Sequence, residues 1–115
     1  MSPTRRTLDF LRRNGYFADV VERWVGFGAG NGGIRKDYLG FADVIAANPT
    51  ARKIVAVQCC SGRDFQRRIR KLLESSEARA WREAGGHVWV MGWRKLGRRR
   101  LWTPRVEEMT FGGEA

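Results

Sequence analysis

Residues 40–62, GFADVIAANPTARKIVAVQCCSG, hold two apolar runs separated by the turn-forming NPTAR. Each run carries one polar residue among core-type side chains: Asp43 in the first, Gln58 in the second. Short runs rich in Val, Ile and Ala that flank an Asn-Pro turn read as two connected strands. A polar group inside such a strand costs free energy unless it is hydrogen-bonded, so both residues need a structural or chemical reason. Alternation along IVAVQCC puts Gln58 and Cys60 on one face, with Val55, Val57 and Cys59 on the other. Asp43 on the adjoining strand can then lie beside Gln58.

Upstream, SPTRRTLDFLRRNGY reads as a helix, with Ser2 as cap, Pro3 at the first helical position and Gly15 as the stop. ADVVERWVGF follows as one strand. The loop GFGAGNGGIRK contains a G-x-G-x-x-G match at Gly28, Gly30 and Gly33. A dinucleotide fingerprint needs a long helix directly after its last glycine, and IRKDYLGFADV leaves no room for one, so a flexible hairpin loop is expected. Downstream, SGRDFQRRIRKLLESSEARAWREAGG is helical. Ser61 and Asp64 suggest a capping box, ESSE is a break into two helices, and Gly85-Gly86 is the end. Phe65, Ile69, Leu72 and Leu73 fall on one side of the helical wheel, and Arg63, Arg67 and Arg70 on the other. HVWVMGWRKLGRRRLWTPRVEEM closes the chain as strand, turn near Gly97, and strand. The expected order is α-β-β-β-α-β-β.

The 115 residues are enough for one domain with a modest core. No apolar run approaches the ~20 residues of a membrane span, and MSPTRRTLDF has no signal-peptide apolar region, so a cytoplasmic protein without membrane partners is expected. Cys59 and Cys60 are adjacent, which in a strand sends them to opposite faces and disfavours a disulfide between them. With one histidine and no CxxC, a structural zinc site is set aside. The net charge of +10 and pI near 11.0 are the electrostatic footprint of a nucleic-acid binder. GWRKLGRRRLWTPR alone supplies six Lys or Arg, no acid and two tryptophans. Cations beside aromatics suit phosphate contact with stacking. Strand alternation equally allows Trp93 and Trp102 to be core residues, and at least one is expected there.

The pattern RKDYLGFAD followed by IVAVQCCSG resembles the PD-(D/E)xK nuclease superfamily, in particular its small Holliday-junction-resolvase-like branch and phage-type members of it. GFADVIA stands for the family's G-x-x-D-hydrophobic strand, and IVAVQCC for its apolar strand ending in E-x-K. The resemblance extends over roughly residues 4–109 and implies a single nuclease-like domain spanning 1–115 with a restriction-endonuclease-like α/β fold, a mixed sheet flanked by helices. It also implies a Mg2+- or Mn2+-dependent DNA endonuclease acting on double-stranded or branched DNA, commonly as a homodimer. Carried over by position, Asp43 is the metal aspartate. Gln58 stands at the Glu position with an amide oxygen still able to ligate, and the backbone carbonyl of Cys59 is a further ligand. Cys60 stands at the Lys position and cannot replace an ammonium. Asp37 is the expected second carboxylate, with a turn in KDYLG as its other reading. Arg63 or Arg67 is the expected replacement cation. Arg35, Lys36, Arg70, Lys95, Arg98, Arg99 and Arg100 are expected to contact nucleic acid. The departures at 58 and 60 leave two rivals: a decayed nuclease fold that binds DNA without cutting, and a basic protein-interaction factor.

Overall fold

In the computed structural model, residues 1–112 are described; the last three residues of the expected domain lie outside them. The first helix, α1 (Pro3–Arg13), starts where Ser2 Oγ accepts the Arg5 N–H at 3.1 Å and ends at Asn14, with Gly15 at φ 87°. It buries Thr7, Leu8 and Leu11 and leaves Arg5, Arg12 and Arg13 exposed.

The strand expected over ADVVERWVGF is divided in two, β1 (Phe17–Val20) and β2 (Arg23–Gly26). The cause lies in the ladder. β1 pairs antiparallel with β4 (Val44–Asn48), and that register ends at Val20↔Val44, where β4 begins. Beyond it, Val21 N–H reaches Asp43 O at 2.9 Å and the chain leaves the sheet. β2 finds its partner in β3 (Gly33–Lys36), making a separate two-stranded ribbon. Gly28, Gly30 and Gly32 take positive φ in the connecting loop, and Gly33 opens a strand rather than a helix, as a hairpin requires.

After β5 (Lys53–Ser61) comes a 3-10 turn (Gly62–Asp64), then α2 (Phe65–Leu73), α3 (Ser76–Glu83), β6 (His87–Leu96) and β7 (Leu101–Glu108). ESSE does break the helix: Ser75 Oγ accepts the Ala78 N–H and starts α3. The capping box at Ser61 is not formed, because a 3-10 turn intervenes and the Ser61 hydroxyl donates to Asp64 instead, at 3.4 Å. Leu73, at the last residue of α2, is half exposed and not part of the apolar face.

The five-stranded sheet has the order β1-β4-β5-β6-β7; β5 and β6 are parallel, and the other neighbours antiparallel. The α2–α3 crossover joins the parallel pair, as parallel neighbours require. Both faces are covered, so the fold is α/β with a mixed sheet between helices. α1 packs with Val55, Val57, Cys59, Met91 and Trp93; α2 and α3 pack with Ala56, Cys60, Val88 and Val90 on the other face. This two-sided burial explains why IVAVQCC is almost continuously apolar. The helices and strands follow one another as α-β-β-β-β-β-α-α-β-β, which differs from the expected α-β-β-β-α-β-β by the β2–β3 ribbon and the α2–α3 break.

Two local contacts fix the layers. Trp93 is buried, donates from Nε1 to Thr7 Oγ1 at 3.0 Å, and meets Phe10 edge-on, which makes it the core tryptophan. Trp102 is 47% exposed, with Arg6 and Lys95 over its ring. On the opposite face Phe65 lies directly on Gly92: a Cβ there would meet the ring at 2.5 Å. Gly92→Ala is therefore expected to destabilise the fold by about 1–3 kcal/mol through overpacking, read as a lower urea midpoint at unchanged slope.

Candidate metal centre

Antiparallel pairing brings the N-terminal end of β4 beside the C-terminal half of β5, and this juxtaposition answers the question posed by Asp43 and Gln58. Asp43 immediately precedes β4; its N–H donates to Val57 O at 2.9 Å. Its Oδ2 accepts from Gln58 Nε2 at 2.9 Å and from the Cys59 backbone N–H at 2.8 Å. The two buried polar groups satisfy each other, and one oxygen of Asp43 is fully engaged. Because N–H and C=O of one strand residue point to the same edge, the Cys59 carbonyl also lies on the β4 side of β5.

Two more carboxylates complete the centre. Glu22, Asp37 and Asp43 each offer an oxygen, and these atoms lie within 4.8 Å of one another. Glu22 immediately precedes β2 and Asp37 immediately follows β3, so both stand at the base of the ribbon. Asp37 makes the expected turn, and its side chain reaches the cluster as well. Its carbonyl accepts from Gly40 N–H in a turn with Leu39 at φ 52° and Gly40 at φ 76°, while its carboxylate joins the cluster. Arg35 pairs with Glu22 at 3.3 Å from the exposed side.

Three acids this close repel one another unless a cation or a proton intervenes. Asp43 shows the strain: its pKa is pushed up to about 7, first by burial, then by the charge of Asp37 and a hydrogen bond to it, and by Glu22, with the Cys59 N–H opposing. An all-carboxylate set beside an amide oxygen and a backbone carbonyl suits a hard divalent cation. The residues present fit such an ion.

The other expected site residues fall into four places. Gln58 spends its amide nitrogen on Asp43, which leaves Oε1 as its only group for a cation. Arg63 is exposed on the 3-10 turn, Arg67 is held by Asp64 at 3.2 Å, and Arg70 is exposed one turn further along α2. Arg35 and Lys36 stand on β3; Lys95, Arg98, Arg99 and Arg100 stand at the exposed tip joining β6 and β7. The cysteines are unbonded, buried and on opposite faces. Burial pushes the Cys59 thiol up to about 12 and the Cys60 thiol to about 11, which keeps both protonated and unreactive.

Two residues escaped the sequence reading. Glu22 is an acid inside the apolar run DVVERWV, the same anomaly that singled out Asp43, and it was hidden by reading that run as one uninterrupted strand. Arg68 is the cation whose charge bears most on Cys60, ahead of Arg67, and its Nε is buried without a hydrogen-bond partner. Helical periodicity placed it between the apolar and basic faces and gave no signal.

No helix of the described residues is long and apolar enough to cross a membrane. No protein-family model matches this chain, and no curated protein or solved structure is similar enough to count as a match.

Proposed function

We propose that this protein is a divalent-metal-dependent DNA endonuclease of the restriction-endonuclease-like type, related in design to the small Holliday-junction-resolvase-like nucleases. One observation carries the reading: Asp43, just before β4, sits beside Gln58 of β5, with Glu22 and Asp37 gathered to within 4.8 Å. A divalent cation at such a centre polarises a phosphodiester and lowers the pKa of an attacking water. Asp43, Asp37 and Glu22 hold the cation. Gln58 and the Cys59 N–H fix the Asp43 carboxylate so that its second oxygen faces the other acids. Glu22 replaces, from the segment just before β2, the carboxylate that Gln58 lacks. Arg67 and Arg68, on the helix after β5, are the cations we assign to compensate charge developing on phosphate. Mg2+ and Mn2+ are the ions we assign, with duplex or branched DNA as substrate and a second copy of the chain to cut the second strand.

The binding-module reading is favoured by a specific feature, the amide at 58 and the thiol at 60 where a carboxylate and an ammonium stand in the nucleases resembled. Incubation with linear and branched DNA in Mg2+, Mn2+ or EDTA separates the two. The nuclease reading requires products with a divalent ion and none with EDTA; intact DNA under every condition, with binding retained, establishes the module instead. Absence of DNA binding at low salt leaves the protein-interaction reading. Binding itself is expected to weaken steeply between ~50 and ~200 mM salt. Replacing Arg98, Arg99 and Arg100 together with alanine is expected to weaken it for all sequences alike, since phosphate contacts carry no sequence information.

A further inference from the structure

The β2–β3 ribbon has no place in the core. It forms its own two-stranded sheet, and both of its faces are largely solvent-exposed. Isolated hairpins are marginal in water, so an unsupported ribbon carrying 63% exposed Trp24, 61% exposed Phe27 and 45% exposed Ile34 is poorly explained by stability alone. Its charge pattern is harder still to explain that way. Arg23 and Lys36 are direct cross-strand partners on one face, flanked by the Val25–Ile34 pair. Like charges directly opposite in a ladder destabilise it. Glu22 and Asp37 adjoin the two cations in sequence, but both acids belong to the cluster at the ribbon's base, which leaves Arg23 and Lys36 as a basic pair open to an anion on an exposed face.

Topology supplies the setting. The C-terminal ends of β1, β5 and β6 and the N-terminal ends of β4 and β7 share one end of the sheet. The ribbon departs from that end between β1 and β4, and the β6–β7 tip with Lys95, Arg98, Arg99 and Arg100 departs from it on the far side of β5. The acidic centre lies between the two projections. A two-stranded ribbon is one of the two elements that a duplex major groove, about 12 Å wide, admits.

We propose that the β2–β3 ribbon is a groove-inserting arm for double-stranded DNA, with Arg23 and Lys36 on phosphates and the exposed Trp24 and Phe27 against the groove walls. The inference rests on the DNA-acting reading above and adds the element that seats the duplex. Trp24 is positioned for this by Gly33: its indole lies so close that a Cβ on Gly33 would meet it at 2.7 Å.

The test is the double variant Arg23→Gln/Lys36→Gln, measured beside wild type by fluorescence anisotropy on a labelled duplex and on one of its single strands, in EDTA, across a salt series. Thermal melting without DNA is measured in parallel. The expected result is a duplex affinity at least ~10-fold weaker at 100 mM salt, and a salt slope smaller by about 2, as loss of two phosphate contacts requires. The melting temperature is expected to be unchanged or higher, because the like-charge pair is gone. An affinity and slope equal to wild type overturns the arm while leaving the nuclease reading to its cleavage assay. A wild type that holds the single strand and not the duplex also overturns it. A wild type that binds neither at low salt overturns both readings.

Discussion

Asp43→Asn is expected to abolish metal-dependent cleavage, by at least ~100-fold, while leaving the fold and DNA affinity intact. The magnitude follows from removing the buried charge that anchors the ion, a loss of several kcal/mol of transition-state stabilisation. The intact fold follows from the hydrogen bonds. Asparagine presents one oxygen to Gln58 and the Cys59 N–H, as Asp43 Oδ2 does, and turns its NH2 toward Asp37. Alanine would instead strand two buried donors, at about 1–3 kcal/mol each, and confound activity with stability. The pH dependence gives a second signature. The folded-state pKa of Asp43 is about 7, above the ordinary 3.8, so the folded state binds this proton more tightly than the unfolded chain. Its contribution to stability is therefore greatest below about pH 4, falls as pH rises toward 7, and is level above that. The Asn variant lacks this component, so its melting temperature is expected to match wild type at acid pH and to exceed it at pH 8 in EDTA. Because metal binding displaces the proton, divalent affinity of wild type is expected to rise with pH up to about 7 and then level.

Gln58→Glu is expected to lower the melting temperature in EDTA by several degrees and to restore it in millimolar Mn2+. The amide now donates to Asp43 at 2.9 Å; a carboxylate in its place sets a like charge against Asp43 and removes the donor. A cation bound between them reverses the sign, and ligand binding to the folded state alone raises its stability by mass action. The same substitution is expected to raise Mn2+ affinity at least ~10-fold, by isothermal titration at pH 7.5. A uniform loss of stability, equal with and without metal, would mean that position 58 is only a core hydrogen-bonding residue.

How far these features were legible depends on the range of the interaction. β4 and β5, their turn, and the pairing of Asp43 with Gln58 follow from local alternation and a short connection. So do α1 with its Ser2 cap and the break at Ser75. The division of ADVVERWVGF into β1 and β2 is set by where β4 begins, some twenty residues away, which no window over that run contains. Glu22 was lost with it, and so was the ribbon as a distinct element. The i,i+3 spacing of Asp64 and Arg67 suits their ion pair, whereas position on a helical wheel cannot say that Arg68 is the cation bearing most on Cys60.

If Glu22, Asp37 and Asp43 hold a divalent ion as proposed, the ion itself must be visible between them. The most direct measurement is anomalous scattering from crystals of the protein grown in Mn2+, with the Asp43→Asn variant as control. One strong peak bounded by the three carboxylates is expected in wild type, and its loss in the variant. A peak elsewhere, or none among these residues at saturating Mn2+, would contradict the proposed centre.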